Sequence, residues 1–269
     1  MKKPPQAITW LRAAGYQSVS VDLIYGLPLQ TEASFAQTIA DVITLNPDRL
    51  AVFSYAHVPW LKPAQKIFDT RDQLPTTAAK LNMLAEATRA LSDASYEHIG
   101  MDHFARPDDE LAVAHREGTL TRNFQGYTTR AGASLYGFGL SSISQTDGSF
   151  RQNHKDIDAY RQAVTAGTLP IERGCLLTDE DRRRRTLIMA IMCRSRVSYR
   201  DITEELGIDI ASYYAAEIAS LDDLEADGLL QRDRDGFDIT PVGELFRRII
   251  AMRFDAYLNK VNQRFSKTV

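Results

Sequence analysis

The sequence predicts an α/β fold over residues 1–173 and a mostly helical domain over residues 174–269. Three observations predict it. Two short apolar runs, 18–25 (SVSVDLIY), rich in β-branched residues, and 50–55 (LAVFSY), a second buried-strand candidate, flank a helical segment from about residue 33 to 45. This strand–helix–strand order implies parallel strands joined by a crossover helix. Near Gly174 the composition then shifts towards helix. Thr178 stands before Asp179, Glu180 and Asp181, a cap and an acidic first turn that suit a helix start.

Taken in order, residues 7–15 read as a helix ended by Gly15. The run 18–25 is largely apolar, as a strand covered on both faces is expected to be, and Gly26-Leu27-Pro28 stops it. Thr31 is the expected cap of the next helix, which Asn46-Pro47-Asp48 breaks. Leu81, Leu84, Ala87 and Leu91 recur at helical spacing within 78–94. Residues 97–101 are a short strand candidate and 110–117 a short helix. The Gly- and Ser-rich stretch 135–144 is expected to be a strand or a loop beside a ligand. Beyond Thr178 helices dominate, with one hairpin signal at Arg234-Asp235-Gly236. Helices, then 224–230, then this hairpin, then Ile239-Thr240-Pro241-Val242-Gly243 follow the order of a winged helix.

Composition narrows the function classes. The 269 residues include 32 basic and 35 acidic side chains, a net charge of −3, with 44% apolar and 25% charged residues. That is enough apolar surface to offset chain entropy, so disorder is excluded. The longest apolar run, 187–193, has seven residues, far below the ~18–20 of a membrane helix. Met1-Lys2-Lys3-Pro4-Pro5-Gln6 leads into the first helix without a signal-peptide core, so a cytoplasmic protein with no membrane partner is expected. Two cysteines, Cys175 and Cys193, make no disulfide framework, and a four-thiolate metal site needs about four. The near-neutral charge argues against a dedicated nucleic-acid binder.

Asp22 interrupts an apolar strand, and a buried carboxylate is costly unless satisfied. It is either a core aspartate bonded to backbone or arginine, or a strand-end carboxylate at the mouth of a βα barrel, where ligands bind. Its place four residues before Gly26 favours the mouth. Tyr55-Ala56-His57-Val58-Pro59 follows the second strand and shares that end. There His57 is a base or a structural residue, and Ala56 offers a ligand only backbone and a close packing surface. In Gly100-Met101-Asp102-His103-Phe104-Ala105-Arg106-Pro107-Asp108-Asp109-Glu110 the last three acids are accounted for as a helix start. Asp102, His103 and Arg106 flank a strand end, and Arg106 suits paired recognition of carboxylates or a structural salt bridge equally. Arg122-Asn123-Phe124-Gln125-Gly126-Tyr127-Thr128-Thr129 lacks helical or alternating periodicity and reads as ligand-facing. Gly137-Phe138-Gly139-Leu140-Ser141-Ser142-Ile143-Ser144 could let a ligand approach the backbone closely.

There is no phosphate loop, nucleophile elbow or His-Glu-x-x-His helix. The five histidines (57, 98, 103, 115 and 154) show no metal-ligand spacing, so no metal ligand is assigned. Residues 200–245 hold 13 acidic and 3 basic residues, a net of −10. A surface that neutralises phosphates cannot carry that charge, so a packing or lid domain is expected rather than a nucleic-acid module. The arginine run 182–185 reads as a solvated face or a set of ion-pair partners.

Together these segments resemble one family. Asp-Leu-Ile-Tyr-Gly-Leu-Pro (22–28) resembles the fifth-strand region of the radical S-adenosylmethionine (SAM) barrels. Gly-Met-Asp-His-Phe-Ala-Arg-Pro-Asp-Asp-Glu-Leu (100–111) and Arg-Asn-Phe-Gln-Gly-Tyr-Thr-Thr (122–129) are highly specific motifs and resemble the oxygen-independent coproporphyrinogen III oxidases (coproporphyrinogen dehydrogenases) of haem biosynthesis. The resemblance runs from about residue 7 to the end. It implies an incomplete radical-SAM (β/α) barrel, its last strands with an extension, followed by the helical domain.

It further implies oxidative decarboxylation of two propionates of coproporphyrinogen III to vinyls, giving protoporphyrinogen IX. In the family a [4Fe-4S] cluster cleaves SAM reductively, the resulting radical abstracts a propionate β-hydrogen, and an electron acceptor takes the last electron. By the family's pattern Asp22 and Ala56 match positions contacting a second SAM, and Ile143 a position packing on the cluster-bound SAM. His103, Arg106 and Gln125 are candidates for contact with substrate propionates or for support of the site, and no catalytic residue is assigned. The family's Cys-x-x-x-Cys-x-x-Cys cluster motif is absent, and Cys175 and Cys193 lie in the wrong region at the wrong spacing. The chain is therefore expected to be the carboxyl-terminal part of such an enzyme, from a truncated gene or an incomplete gene model, inactive alone. Family members are mostly monomeric, whereas an open barrel edge favours self-association. Haem-handling relatives carry Asn-x-x-Tyr-Trp where this chain has Asn-Phe-Gln-Gly-Tyr-Thr-Thr, which favours the dehydrogenase. From another class, a winged-helix interaction module is the alternative.

Overall fold

In a computed structural model, which describes residues 4–68 and 73–258, the expected strand–helix–strand unit forms. After helix α1 (Pro4–Ala13), strand β1 (Ser20–Tyr25) leads through α2 (Glu32–Leu45) into β2 (Arg49–Ser54). The two strands pair in parallel from Ser20 opposite Arg49 to Tyr25 opposite Ser54. Thr31 caps α2 in a reciprocal box with Ser34: its hydroxyl accepts the Ser34 N–H at 3.1 Å, and the Ser34 hydroxyl accepts the Thr31 N–H at 3.0 Å. Asn46 ends the helix in the left-handed region, at φ 49°. A 3₁₀ turn (Pro63–Phe68), α3 (Thr77–Asp93), β3 (Glu97–Gly100), β4 (His103–Ala105) and α4 (Glu110–Arg116) follow. The sheet order is β1-β2-β4-β3, with β4 antiparallel to both neighbours.

The chain divides into two compact units, Met1–Arg116 with Ala256–Val269, and Glu117–Asp255. In the first, Phe35, Ile39 and Val42 of α2 and Met83, Leu84, Ala87 and Leu91 of α3 are buried with Tyr25, Leu50, Val52 and Phe104 of the sheet. Each large apolar side chain so buried contributes about 1.5–3 kcal/mol. At the edge strand β1 these helices cover one face only. Along β1 the exposed Ser20, Asp22 and Ile24 alternate with the more buried Val21, Leu23 and Tyr25. The expectation of a strand covered on both faces, and with it a buried Asp22, is therefore corrected. β1 is an edge strand, and its second face is open.

The second unit begins with a hairpin of β5 (Thr121–Asn123) and β6 (Gly126–Thr128). The segment read as aperiodic is thus two short strands. The Asn123 side chain accepts the Gln125 N–H at 2.8 Å, and Gly126 takes φ 142° to close the turn. Strands β7 (Ile143–Gln145) and β8 (Ser149–Asn153), helix α5 (Ile157–Thr165) and strand β9 (Ile171–Leu176) add an antiparallel sheet in the order β7-β8-β9. Only the end of the Gly-rich stretch is strand. At Gly137 a Cβ would come within 2.5 Å of the Ile143 carbonyl, so the close approach this glycine allows is to its own chain.

Then α6 (Asp179–Cys193) starts at Thr178, which forms a capping box with Asp181. Strand β10 (Arg196–Ser198) and helices α7 (Tyr199–Leu206), α8 (Ile210–Tyr213), α9 (Ala215–Ala219) and α10 (Asp222–Ala226) lead to β11 (Leu230–Asp233) and β12 (Gly236–Ile239). These two strands form the expected hairpin, and β10 pairs with β12. Helices α11 (Pro241–Leu245) and α12 (Arg247–Met252) complete the unit. The arginine run on α6 makes ion pairs: Arg184 holds Glu180 and Glu217, each at 2.7 Å, and Arg185 holds Asp147 at 2.7 Å.

Arg247 is fully buried. It donates to the carbonyls of Ile191 at 2.6 Å and Arg194 at 2.8 Å, and to both carboxylate oxygens of Glu244. It thereby ties α12 to the carboxyl end of α6. Removing one partner of a buried, bonded charge leaves the other uncompensated, at about 3–5 kcal/mol. Arg247→Met is expected to lower the unfolding free energy by about that amount in urea titrations. A loss below about 1 kcal/mol would contradict this reading. The two cysteines give a second check. Cys193 is buried, and burial pushes its thiol up to about 11, while Cys175 is exposed. Because the thiolate is the nucleophile, iodoacetamide at pH 8 is expected to label Cys175 alone in the native chain and both cysteines after denaturation.

Candidate functional site

Parallel strands present their carboxyl ends together, and here two turns leave β1 and β2 at that end. Each is pinned by a glutamine amide. Gln30 accepts the Leu27 N–H at 3.1 Å and donates to the Ile24 carbonyl at 3.2 Å. Gln65 accepts the Val58 N–H at 2.7 Å and donates to the Ala56 carbonyl at 3.2 Å. Ala56 is exposed on the second turn, and the rings of Tyr55 and His57 stand 6.3 Å apart beside it. Gly26 takes φ 77° where a Cβ would come within 2.8 Å of the Lys80 side chain. Lys80 reaches the Tyr55 carbonyl at 3.5 Å, and burial holds its ammonium below the usual lysine range.

The open face of the sheet carries a row of candidates. Asp22 lies opposite Ala51, and Ala51 lies opposite His103. The Asp102 carboxylate receives the His103 Nδ1–H at 2.7 Å, since an ionised carboxylate only accepts. This fixes the imidazole's orientation. Phe53 stands edge-on to the same ring, 6.1 Å away. Arg106 does not join them. It sits at the amino end of β2, where its N–H bonds the Asp48 carbonyl at 2.9 Å and its guanidinium donates to Asn46 at 2.7 Å and Asp108 at 3.2 Å. The salt-bridge role that the sequence left open for Arg106 is the one this geometry favours.

In the second unit Gln125 stands at the tip of the β5–β6 hairpin and lines a cleft of about 970 Å³. Ile143 opens β7, opposite Gln152 and two residues before Gln145, which lines the same cleft. Among the described residues no group of three or more His, Cys, Asp or Glu side chains is arranged to hold a metal ion. No described helix is long and apolar enough to cross a membrane. Sequence reading did not find Gln30, Gln65 or Lys80. Each acts on a backbone atom of another segment, and no local pattern marks that.

Comparison with known proteins agrees with this architecture. Residues 177–246 match the family described as HemN C-terminal domain. An oxygen-independent coproporphyrinogen III oxidase from Thermostichus vulcanus is 48% identical over 266 residues, 98% of this chain and 82% of that protein. One from Synechocystis sp. is 46% identical over 98% of this chain and 58% of its own length. The solved structure of the coproporphyrinogen III oxidase from Escherichia coli, described as a radical SAM enzyme, superposes with a TM-score of 0.90 at 42% identity. It covers 96% of this chain and 60% of the E. coli chain. The chain thus spans somewhat over half the length of the Synechocystis and E. coli proteins. On the identity it shares along nearly its whole length with such relatives, the chain belongs to the oxygen-independent coproporphyrinogen III oxidase family.

Proposed function

We propose that this chain supplies the last strands of a radical-SAM barrel, the extension behind them and the helical domain of a cytoplasmic oxidoreductase. The reaction is the oxidative decarboxylation of coproporphyrinogen III propionates to vinyls. The observation that carries the reading is the match to the E. coli radical SAM enzyme along 96% of this chain. The open face of the first unit suits the inner wall of a barrel, whose ligands sit at the carboxyl ends of the strands. The proposed domains are 1–173 and 174–269, the second acting as packing or lid. An electron donor and acceptor complete the set of partners, and the open β1 edge favours self-association.

The described residues do not fit a [4Fe-4S] cluster, which needs about three or four thiolates; one cysteine is buried and the other is on β9. No step is assigned to the cluster here. SAM, when bound, supplies the radical that starts the chemistry. The residues of this chain position ligands. Asp22 offers an exposed acceptor on the open face, and Ala56 a side chain small enough for a ligand to lie against the turn that Gln65 pins. Ile143 packs on the SAM that the cluster binds, and Gln125 supports the site. Asp102 fixes the orientation of the His103 ring through its Nδ1.

Two outcomes are expected. Fused to the amino-terminal half of a family member, the chain forms protoporphyrinogen with SAM and an electron donor, whereas alone, supplied with iron and sulfide, it binds no stoichiometric four-iron cluster. Product missing from a fusion with an intact cluster, or a tight cluster on the chain alone, would sink the reading. In the same fusion Asp22→Ala weakens SAM use by roughly tenfold, the worth of a charge-assisted hydrogen bond. Its melting temperature shifts by less than about 2 °C, because the Asp22 side chain is exposed. A large thermal shift with SAM use unchanged would make Asp22 structural.

A further inference from the structure

We infer that the cleft of the second unit is a carboxylate-binding site in which Arg122, Arg130 and Arg194 anchor propionate groups of the porphyrinogen substrate. This rests on the substrate reading above and names the groups that hold it. The three arginines line one cleft of about 970 Å³, at the upper end of the ~300–1,000 Å³ typical of ligand sites.

Several arginines elsewhere in this unit are engaged. Arg184, Arg196, Arg232 and Arg247 each hold a carboxylate. Arg122, Arg130 and Arg194 make no side-chain ion pair or hydrogen bond among the described residues. The Nε of Arg122 is shut off from solvent with no acceptor, and its guanidinium lies 5.6 Å over the Tyr127 ring. That ring is itself fixed, because its hydroxyl donates to the Met192 carbonyl at 2.8 Å. A buried donor without a partner is costly, so the placement of Arg122 is not explained by pairing within the chain.

The charge balance of the cleft agrees. Its carboxylates are Asp147, already held by Arg185 at 2.7 Å, and the exposed Glu205. Three unpaired cations therefore face one unpaired anion. Cys193 lines the same cleft as Arg122 and Arg194. Phe124, Phe150 and Met189 supply apolar wall between the charges. A planar guanidinium takes a carboxylate in paired hydrogen bonds. A ligand with several carboxylates around an apolar ring meets both features.

The same chemistry would accept the methionyl carboxylate of SAM or free phosphate, and the test separates these. The full 269-residue chain is titrated with coproporphyrin III, the stable oxidised form of the substrate, and binding is followed by porphyrin fluorescence. Its tetramethyl ester, SAM alone and inorganic phosphate serve as further probes. Arg122→Met and Arg194→Met are each expected to weaken coproporphyrin binding by roughly tenfold and the double variant by roughly a hundredfold. Native circular dichroism spectra are expected throughout, with little binding of the ester and no competition by millimolar phosphate. The proposal fails if the double variant binds within about twofold of the parent, or if the ester binds as well as the acid. It also fails if the parent binds no coproporphyrin, or if the variants lose SAM alone. None of these results decides the oxidase reading, which stands or falls on product formation by the fusion.

Discussion

Everything at the candidate site depends on one constraint: α2 and α3 bury one face of the sheet β1-β2-β4-β3, and along the edge strand β1 the other face stays exposed. Side chains along a strand alternate, so covering one face commits Val21, Leu23 and Tyr25 with Leu50, Val52 and Phe104 to the core. The alternate set, Asp22, Ile24, Ala51, Phe53 and His103, is thereby committed to the other face. A slip of one residue in the β1–β2 register would turn Asp22 into the core and Leu23 out of it. The apolar cost of that slip is what holds the row in place, so α2 and α3 are indirect parts of the site. The glutamine clamps extend the same logic beyond the strands, where no ladder remains to fix the backbone.

The βα unit was legible because its signals are local. β-Branched runs mark the strands, and Thr31 and Thr178 each sit one residue before a helix they cap. The exposure of Asp22 was not legible from the apolar content of 18–25, yet it is present in the order of SVDLIY, whose alternation marks a strand with one wet face. The β5–β6 hairpin escaped for a different reason. Three-residue strands carry too few positions to show a period, and the turn rests on a side-chain bond from Asn123 rather than on an Asn-Gly pair. Arg106 shows the limit of reasoning from neighbourhood. Three residues after His103 on an antiparallel strand, it reaches the opposite end of β2.

Long-range electrostatics was the least legible part. Arg247 reads in sequence as half of an Arg-Arg pair on a terminal helix. In the fold it is the most enclosed charge of its unit, satisfied by carbonyls more than fifty positions away. Arg122 and Arg194 stand seventy-two positions apart in sequence and line one cleft. No spacing rule connects them.

These two kinds of arginine also separate structure from function within one domain. A charge withdrawn from water must be repaid by fixed partners, and at Arg247 five acceptors do so, leaving nothing for a ligand. Acidic side chains are plentiful in this region, with a net of −10 over residues 200–245. Nearby arginines draw on that supply: Arg232 alone engages Asp222 and Glu225. Against such a background, unpaired arginines around a cleft are not a consequence of a shortage of carboxylates. The fold holds its acids away from Arg122 and Arg194 while it neutralises Arg184, Arg196, Arg232 and Arg247. A cation kept unpaired beside abundant anions has a geometry set for a partner that the chain itself does not provide.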